Sequence, residues 1–231
     1  MSSLRAAFFS FYKEMKKLTA VILGILMLSA TGKAVETAWG FKAGISGSWV
    51  PGMIVPDNAR ITLPCVGGYG GAFFEAELAD NFLLYTELCY CGRGHMDRSD
   101  FFGYVSRYFL RLSYLELPVM AGFRVADDRL TIYAGPELGV CLGGNAVSKD
   151  SAGNKISADA RGLLNPVTMN LAILTTYMVT DNIGIDVKFD FGLTRTFKGE
   201  KISFGEGAMK REFINRTHNI GVQLGVCYKF D

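Results

Sequence analysis

From Ile183 to Leu193 the chain alternates without a break: Ile183, Ile185, Val187, Phe189, Phe191 and Leu193 against Gly184, Asp186, Lys188, Asp190 and Gly192. A period of two marks an extended strand with one apolar and one polar face. The last stretch repeats it, with His218, Ile220, Val222, Leu224, Val226, Tyr228 and Phe230 opposed to Asn219, Gly221, Gln223, Gly225, Cys227 and Lys229. Hydrophobic residues make up 49% of the chain and mean hydropathy is +0.21. Yet no apolar run of about 18 residues stands outside the amino-terminal region, which argues against a helical membrane protein. Apolarity spread thinly over alternating strands is the pattern of a transmembrane barrel.

Six more segments read the same way. Trp39–Val50 sets Trp39, Phe41, Ala43, Ile45 and Trp49 against Lys42, Gly44, Ser46 and Ser48; Pro64–Leu78 sets Val66, Ala72, Phe74, Ala76 and Leu78 against Tyr69, Glu75 and Glu77. Phe82–Gly92 places Glu87, Cys89 and Cys91 on its polar side, a segment after Tyr108 places Glu116, Met120 and Arg124 there, and Leu130–Gly143 places Tyr133, Glu137 and Cys141 there. Pro166–Val179 carries Val167, Met169, Leu171, Ile173 and Tyr177 on its apolar side. The glycines of Gly67–Gly71 sit inside continuous alternation, so they read as bending points of a curved strand rather than a phosphate loop, which needs a strand end and a helix start.

Long connections (Pro51–Leu63, Arg93–Tyr108, Gly144–Asn165, Thr194–Thr217) alternate with short turns at Ala79–Asn81, at Asp127 and Asp128, and at Thr180–Asn182. Short periplasmic turns and long outer loops are the habit of bacterial outer-membrane barrels. Face parity carries across each short turn, opposing Leu78 to Phe82, Val125 to Leu130 and Val179 to Ile183. The expected fold is all-β, an eight-stranded antiparallel up-and-down transmembrane barrel with both ends on the periplasmic side.

Turning the apolar faces inward would make a soluble barrel, but Phe189, Phe191 and their counterparts from seven neighbours would overfill an eight-stranded interior. Placed outward, those rows meet lipid, and Trp39, Phe41, Trp49, Tyr177, Tyr228 and Phe230 fall where aromatics mark the membrane interfaces. The lumen then receives Lys42, Glu75, Glu77, Glu87, Glu116, Arg124, Glu137, Asp186, Lys188, Asp190 and Lys229. Buried charges must be paired, so these residues are expected to form an ion-pair network.

Residues 1–34 read as a leader and signal peptide, ahead of a barrel domain at 35–231. Met15-Lys16-Lys17 is basic, Leu18–Ala30 apolar, and Gly32-Lys33-Ala34 offers a cleavage site after Ala34, with Met15 favoured over Met1 as the start. Removing that segment takes away five bases (Arg5, Lys13, Lys16, Lys17, Lys33) and one acid (Glu14), turning a formal charge of +2 into −2. Nothing in that balance suggests a nucleic-acid partner. Cys65, Cys89, Cys91, Cys141 and Cys227, with only His95 and His218 to join them, lack metal-ligand spacing and read as small fillers. No cofactor is expected.

Gly40-Phe-Lys-Ala-Gly44, Tyr114-Leu-Glu-Leu-Pro118, the run Gly184 to Thr194 and Gly225-Val-Cys-Tyr-Lys-Phe230 resemble the PorT-like outer-membrane β-barrel family of Bacteroidota, akin in architecture to OmpA- and OmpX-type barrels. The resemblance spans essentially all of the chain after the leader. It implies an outer-membrane barrel in contact with lipid and with the outer-membrane assembly machinery, and it names no loop partner. A non-enzymatic barrel acting through its outer loops is the leading expectation; a narrow pore and a soluble ligand-binding barrel are the alternatives. Catalysis would need partners for His218, and the neighbouring apolar row offers neither Ser nor acid.

Overall fold

The computed structural model describes residues 36–50, 60–101, 104–125, 129–149, 155–199, 201–204, 211–214 and 217–230. The leader and signal peptide, the turn at Asp127 and Asp128, and Asp231 lie outside them. Eleven strands are present: β1 (Thr37–Trp49), β2 (Arg60–Ala79), β3 (Phe82–Phe101), β4 (Tyr104–Val125), β5 (Leu130–Lys149), β6 (Lys155–Asp159), β7 (Val167–Met178), β8 (Ile183–Arg195), β9 (Lys201–Phe204), β10 (Arg211–Ile214) and β11 (His218–Phe230). Eight of them, β1 to β5 with β7, β8 and β11, form one antiparallel sheet that closes on itself where β11 pairs β1 and β4 pairs β5. Closure leaves no barrel edge in the hydrocarbon, where each unpaired N–H or C=O would cost several kcal/mol.

Alternation decides what faces where. Along β8, Gly184, Asp186, Lys188 and Asp190 are buried while Ile183, Ile185, Phe189 and Phe191 are exposed. The polar face is the inside, and the exposed apolar rows of all eight strands form the outer belt. Trp39, Phe41, Tyr177 and Tyr228 lie exposed at the short-turn end, where Trp39 stacks on Phe230 at 4.4 Å between ring centroids. Trp49 sits half-buried at the far end of β1.

Two expected details change. Leu78 does not oppose Phe82: the turn is the pair Asp80 and Asn81, Asn81 adopts a left-handed φ of 66°, Ala79 partners Phe82, and a bulge absorbs Leu78. Asn tolerates that conformation better than most residues, so a tighter turn with a bulge replaces the expected three-residue one. Ala76, expected on the lipid face, is fully buried next to the same irregularity.

The larger change is on the long-loop side. Arg93–Tyr108 is no loop, because β3 and β4 stay paired from Gly92↔Ser113 up to Phe101↔Tyr104. Likewise β5 continues to Lys149 and gains β6, and a β9–β10 hairpin lies within Thr194–Thr217. Beyond the belt no lipid enforces an apolar residue at every second position, so ladder hydrogen bonds persist without any apolar alternation to reveal them. Gly94 shows what the extension demands: its φ is +150° and a Cβ there would strike the Leu110 carbonyl on β4.

Candidate functional site

The lumen is filled in three tiers. At the short-turn end lies an open cup of about 480 Å³, lined in part by Glu75, Arg124, Arg129, Tyr133, Asp181 and Lys229. Arg124 reaches Glu77 at 2.9 Å and Glu75 at 3.8 Å, Lys229 reaches Glu75 at 3.0 Å, and the Tyr133 hydroxyl donates to Glu75. Phe73, Leu83, Tyr85, Met120, Ala172 and Leu174 pack as its apolar floor.

Above that floor the chain buries its charges. Lys42 of β1 lies 2.6 Å from Glu87 and 3.3 Å from Asp186, and the Tyr85 hydroxyl donates to Glu87 at 2.8 Å. Lys188 of β8 is shared by Glu87 at 2.8 Å, Glu137 at 2.8 Å, Glu116 at 3.4 Å and Asp190 at 3.9 Å. Arg93 spreads its guanidinium over three strands: Nε to Glu116 on β4, and Nη2 to Glu137 on β5 at 3.2 Å and to Asp190 on β8 at 2.9 Å. The planar fork suits this, since one guanidinium offers several fixed donors where an ammonium is a point charge. Asn170 and Gln223 extend the network to Glu137 and Glu116 at 2.8 and 3.1 Å.

An apolar cap closes the long-loop end. Val50, Leu110, Leu112, Tyr114 and Cys141 pack with Ala160, Leu164 and Phe197, which come from two different connections. Those connections are clipped together: the Asn165 amide group donates to the Arg195 and Phe197 carbonyls at 2.6 and 3.2 Å, and Lys198 N–H donates to Leu163 O at 2.8 Å.

Of the sequence-predicted lumen charges, Lys42, Glu87, Glu116, Glu137, Asp186, Lys188 and Asp190 meet in the buried tier, while Glu75, Glu77, Arg124 and Lys229 meet separately in the cup. Arg93 is absent from that prediction because its segment reads as a loop. A signal exists: Glu87, Cys89 and Cys91 set an inward step of two that reaches Arg93 next, and seven predicted acids against four bases leave a cation wanting. His218 sits at the start of β11 with Nδ1 3.0 Å from the Gly192 carbonyl. Among the described residues no group of three or more His, Cys, Asp and Glu has the arrangement of a metal site.

A family model described as "Outer membrane protein beta-barrel domain" matches residues 33–198. The chain belongs to that family. Its place is therefore the outer membrane, which sets aside the soluble ligand-binding barrel. No curated protein matches its sequence. Among solved structures it is similar to the attachment invasion locus protein Ail of Yersinia pestis, at 12% identity and a TM-score of 0.44, over 84% of this chain and 99% of that one. A major outer membrane protein of Thermus thermophilus gives 14% and 0.45, over 84% and 100%. OprG of Pseudomonas aeruginosa gives 11% and 0.37, over 84% and 95%.

Proposed function

We propose that this outer-membrane barrel is a non-enzymatic, non-conducting protein that is anchored by its belt and meets partners through the β-structure above it. The observation that carries the reading is the double closure of the lumen. An ion in transit would have to break the Lys188 and Arg93 clusters and then displace the Leu110–Leu112–Leu164–Phe197 cap. An eight-stranded barrel has an interior about wide enough for its own side chains, and here those chains occupy it. His218 engages a backbone carbonyl through Nδ1 and has no Ser or acid side chain bonded to it among the described residues, which supports a non-catalytic role. Within the same proposal stand the leader at residues 1–34, PorT-like kinship, and contacts with outer-membrane lipid and the assembly machinery.

Conductance decides the matter. The purified barrel in planar bilayers is expected to stay at the bare-bilayer baseline, and a steady unitary conductance from the wild-type chain overturns the proposal in favour of a narrow pore.

A further inference from the structure

The short strand β6 ends the sheet. Its residues Lys155, Ile156, Ser157, Ala158 and Asp159 are all exposed, and among the described residues β5 is the neighbour it pairs with. No barrel strand stands on its other side, because β7 begins at Val167, opposite Val140, while β5 runs on to Lys149. Ala160 N–H donates to Gly144 O at 2.9 Å, one step past the Asn145↔Asp159 pair. Hydrogen-bonded and non-hydrogen-bonded pairs alternate along an antiparallel ladder. Ile156 and Ala158 therefore bond to β5, and the N–H and C=O groups of Lys155, Ser157 and Asp159 point away from it. An edge of that kind is a template for another strand.

The residues of the edge say which strand fits it. Lys155 and Asp159 stand symmetrically about Ser157. Against a second copy of β6 running the other way, Lys155 of each copy opposes Asp159 of the other, Ser157 opposes Ser157, and Ile156 opposes Ala158. Opposite charges directly across a ladder stabilise it and like charges weaken it. Ile156, 73% exposed in the single copy, then falls in a non-hydrogen-bonded pair, where facing side chains are closest. A lysine at an edge discourages indiscriminate pairing; here a carboxylate stands where a second copy would need it. Two strands so paired are related by a two-fold axis normal to their sheet. That sheet continues the barrel wall, with Lys149 Nζ 5.6 Å from the centre of the Phe109 ring on one side and Leu110 and Leu112 buried in the cap on the other. The axis therefore runs across the barrel, and the two barrels point in opposite directions. We infer that β6 joins two copies of this chain standing in two outer membranes that face each other. A contact of about six backbone hydrogen bonds is small for a lasting interface, so its strength comes from many copies acting together.

The inference rests on the reading above, with the long connections outside, and names a second copy as the partner. The experiment reconstitutes the mature barrel into phospholipid vesicles of two colours and measures their tethering by two-colour fluorescence cross-correlation. Wild type is expected to tether wild type. Lys155→Glu against itself, and Asp159→Lys against itself, turn both charge pairs of the contact from attractive to repulsive, so each should tether roughly tenfold less. Lys155→Glu vesicles mixed with Asp159→Lys vesicles restore both pairs and should return to within about threefold of wild type. Ser157→Pro removes an N–H that points away from β5, which an edge strand tolerates, and should abolish tethering. Unaltered heat-modifiable mobility reports folding of each variant. Self-tethering of either charge variant at the wild-type level overturns the inference, as does a mixture that fails to recover. Equal tethering of wild-type vesicles to protein-free ones overturns it in favour of lipid as the partner. A peptide tag between Phe204 and Arg211 separates the two readings by antibody access on intact cells. An inaccessible tag overturns the orientation and the facing-membrane contact with it, whereas an accessible tag without tethering overturns this inference alone.

Discussion

Replacing Arg93 by Met should be among the most damaging single changes available to this barrel. The guanidinium is 2% exposed and holds Glu116, Glu137 and Asp190, so its loss strands three carboxylates with Lys188 as their remaining cation. Breaking a buried ion pair by removing one partner costs about 3–5 kcal/mol, because the surviving charge keeps its desolvation penalty without its partner. Arg124 is the natural control. Its 2.9 Å pair with Glu77 sits in the open cup with the two side chains 19% and 23% exposed, where water screens the pair and about 0–1 kcal/mol is expected. Equilibrium urea unfolding in lipid vesicles, followed by heat-modifiable mobility, should separate the variants by about 3 kcal/mol, or more than 100-fold in the folding constant. Adding Glu137→Gln to Arg93→Met should recover part of the loss, since one stranded charge is then gone. If Arg93→Met unfolds within about 1 kcal/mol of wild type, or no more easily than Arg124→Met, the lumen network is not what holds the strands in place.

Other expectations follow from the same geometry. Phe189 lies 47% exposed on the lipid face, so Phe189→Arg should destabilise the barrel by about 2–4 kcal/mol in vesicles, and a neutral result would put that face against something other than hydrocarbon. Gly94→Ala adds a Cβ against the Leu110 carbonyl at a positive φ; a loss of about 1–3 kcal/mol and earlier proteolysis of the β3–β4 extension are expected, while wild-type resistance would argue against the paired extension.

The belt is legible in the sequence because lipid imposes a rule on every second residue. Val125 partners Leu130, and Val179 N–H donates to Ile183 O at 2.8 Å, as face parity across those turns implies. What is illegible has no such rule acting on it. From Asp97 to Ser106 polar residues are scattered without a period of two, and no pattern in them distinguishes a ladder from a loop. Arg93 marks the boundary: it is the first inward position of the extension, and it goes unread with that segment although the charge count asks for it. The cap is hidden for another reason, since Leu164 and Phe197 are apolar residues in polar connections far apart in sequence, brought together by the Leu164↔Phe197 bridge.

The pairing of β1 with β11 fixes an order of events. Trp39 opposes Phe230 and Trp49 opposes Ile220, so the first strand made receives its second neighbour only when the last has been synthesised. Until then β1 offers an open edge and an apolar face together, the combination most prone to pair with the wrong chain. The cylinder has no shorter stable version of itself, and the whole polypeptide has to be kept apart from its neighbours until its two ends can meet.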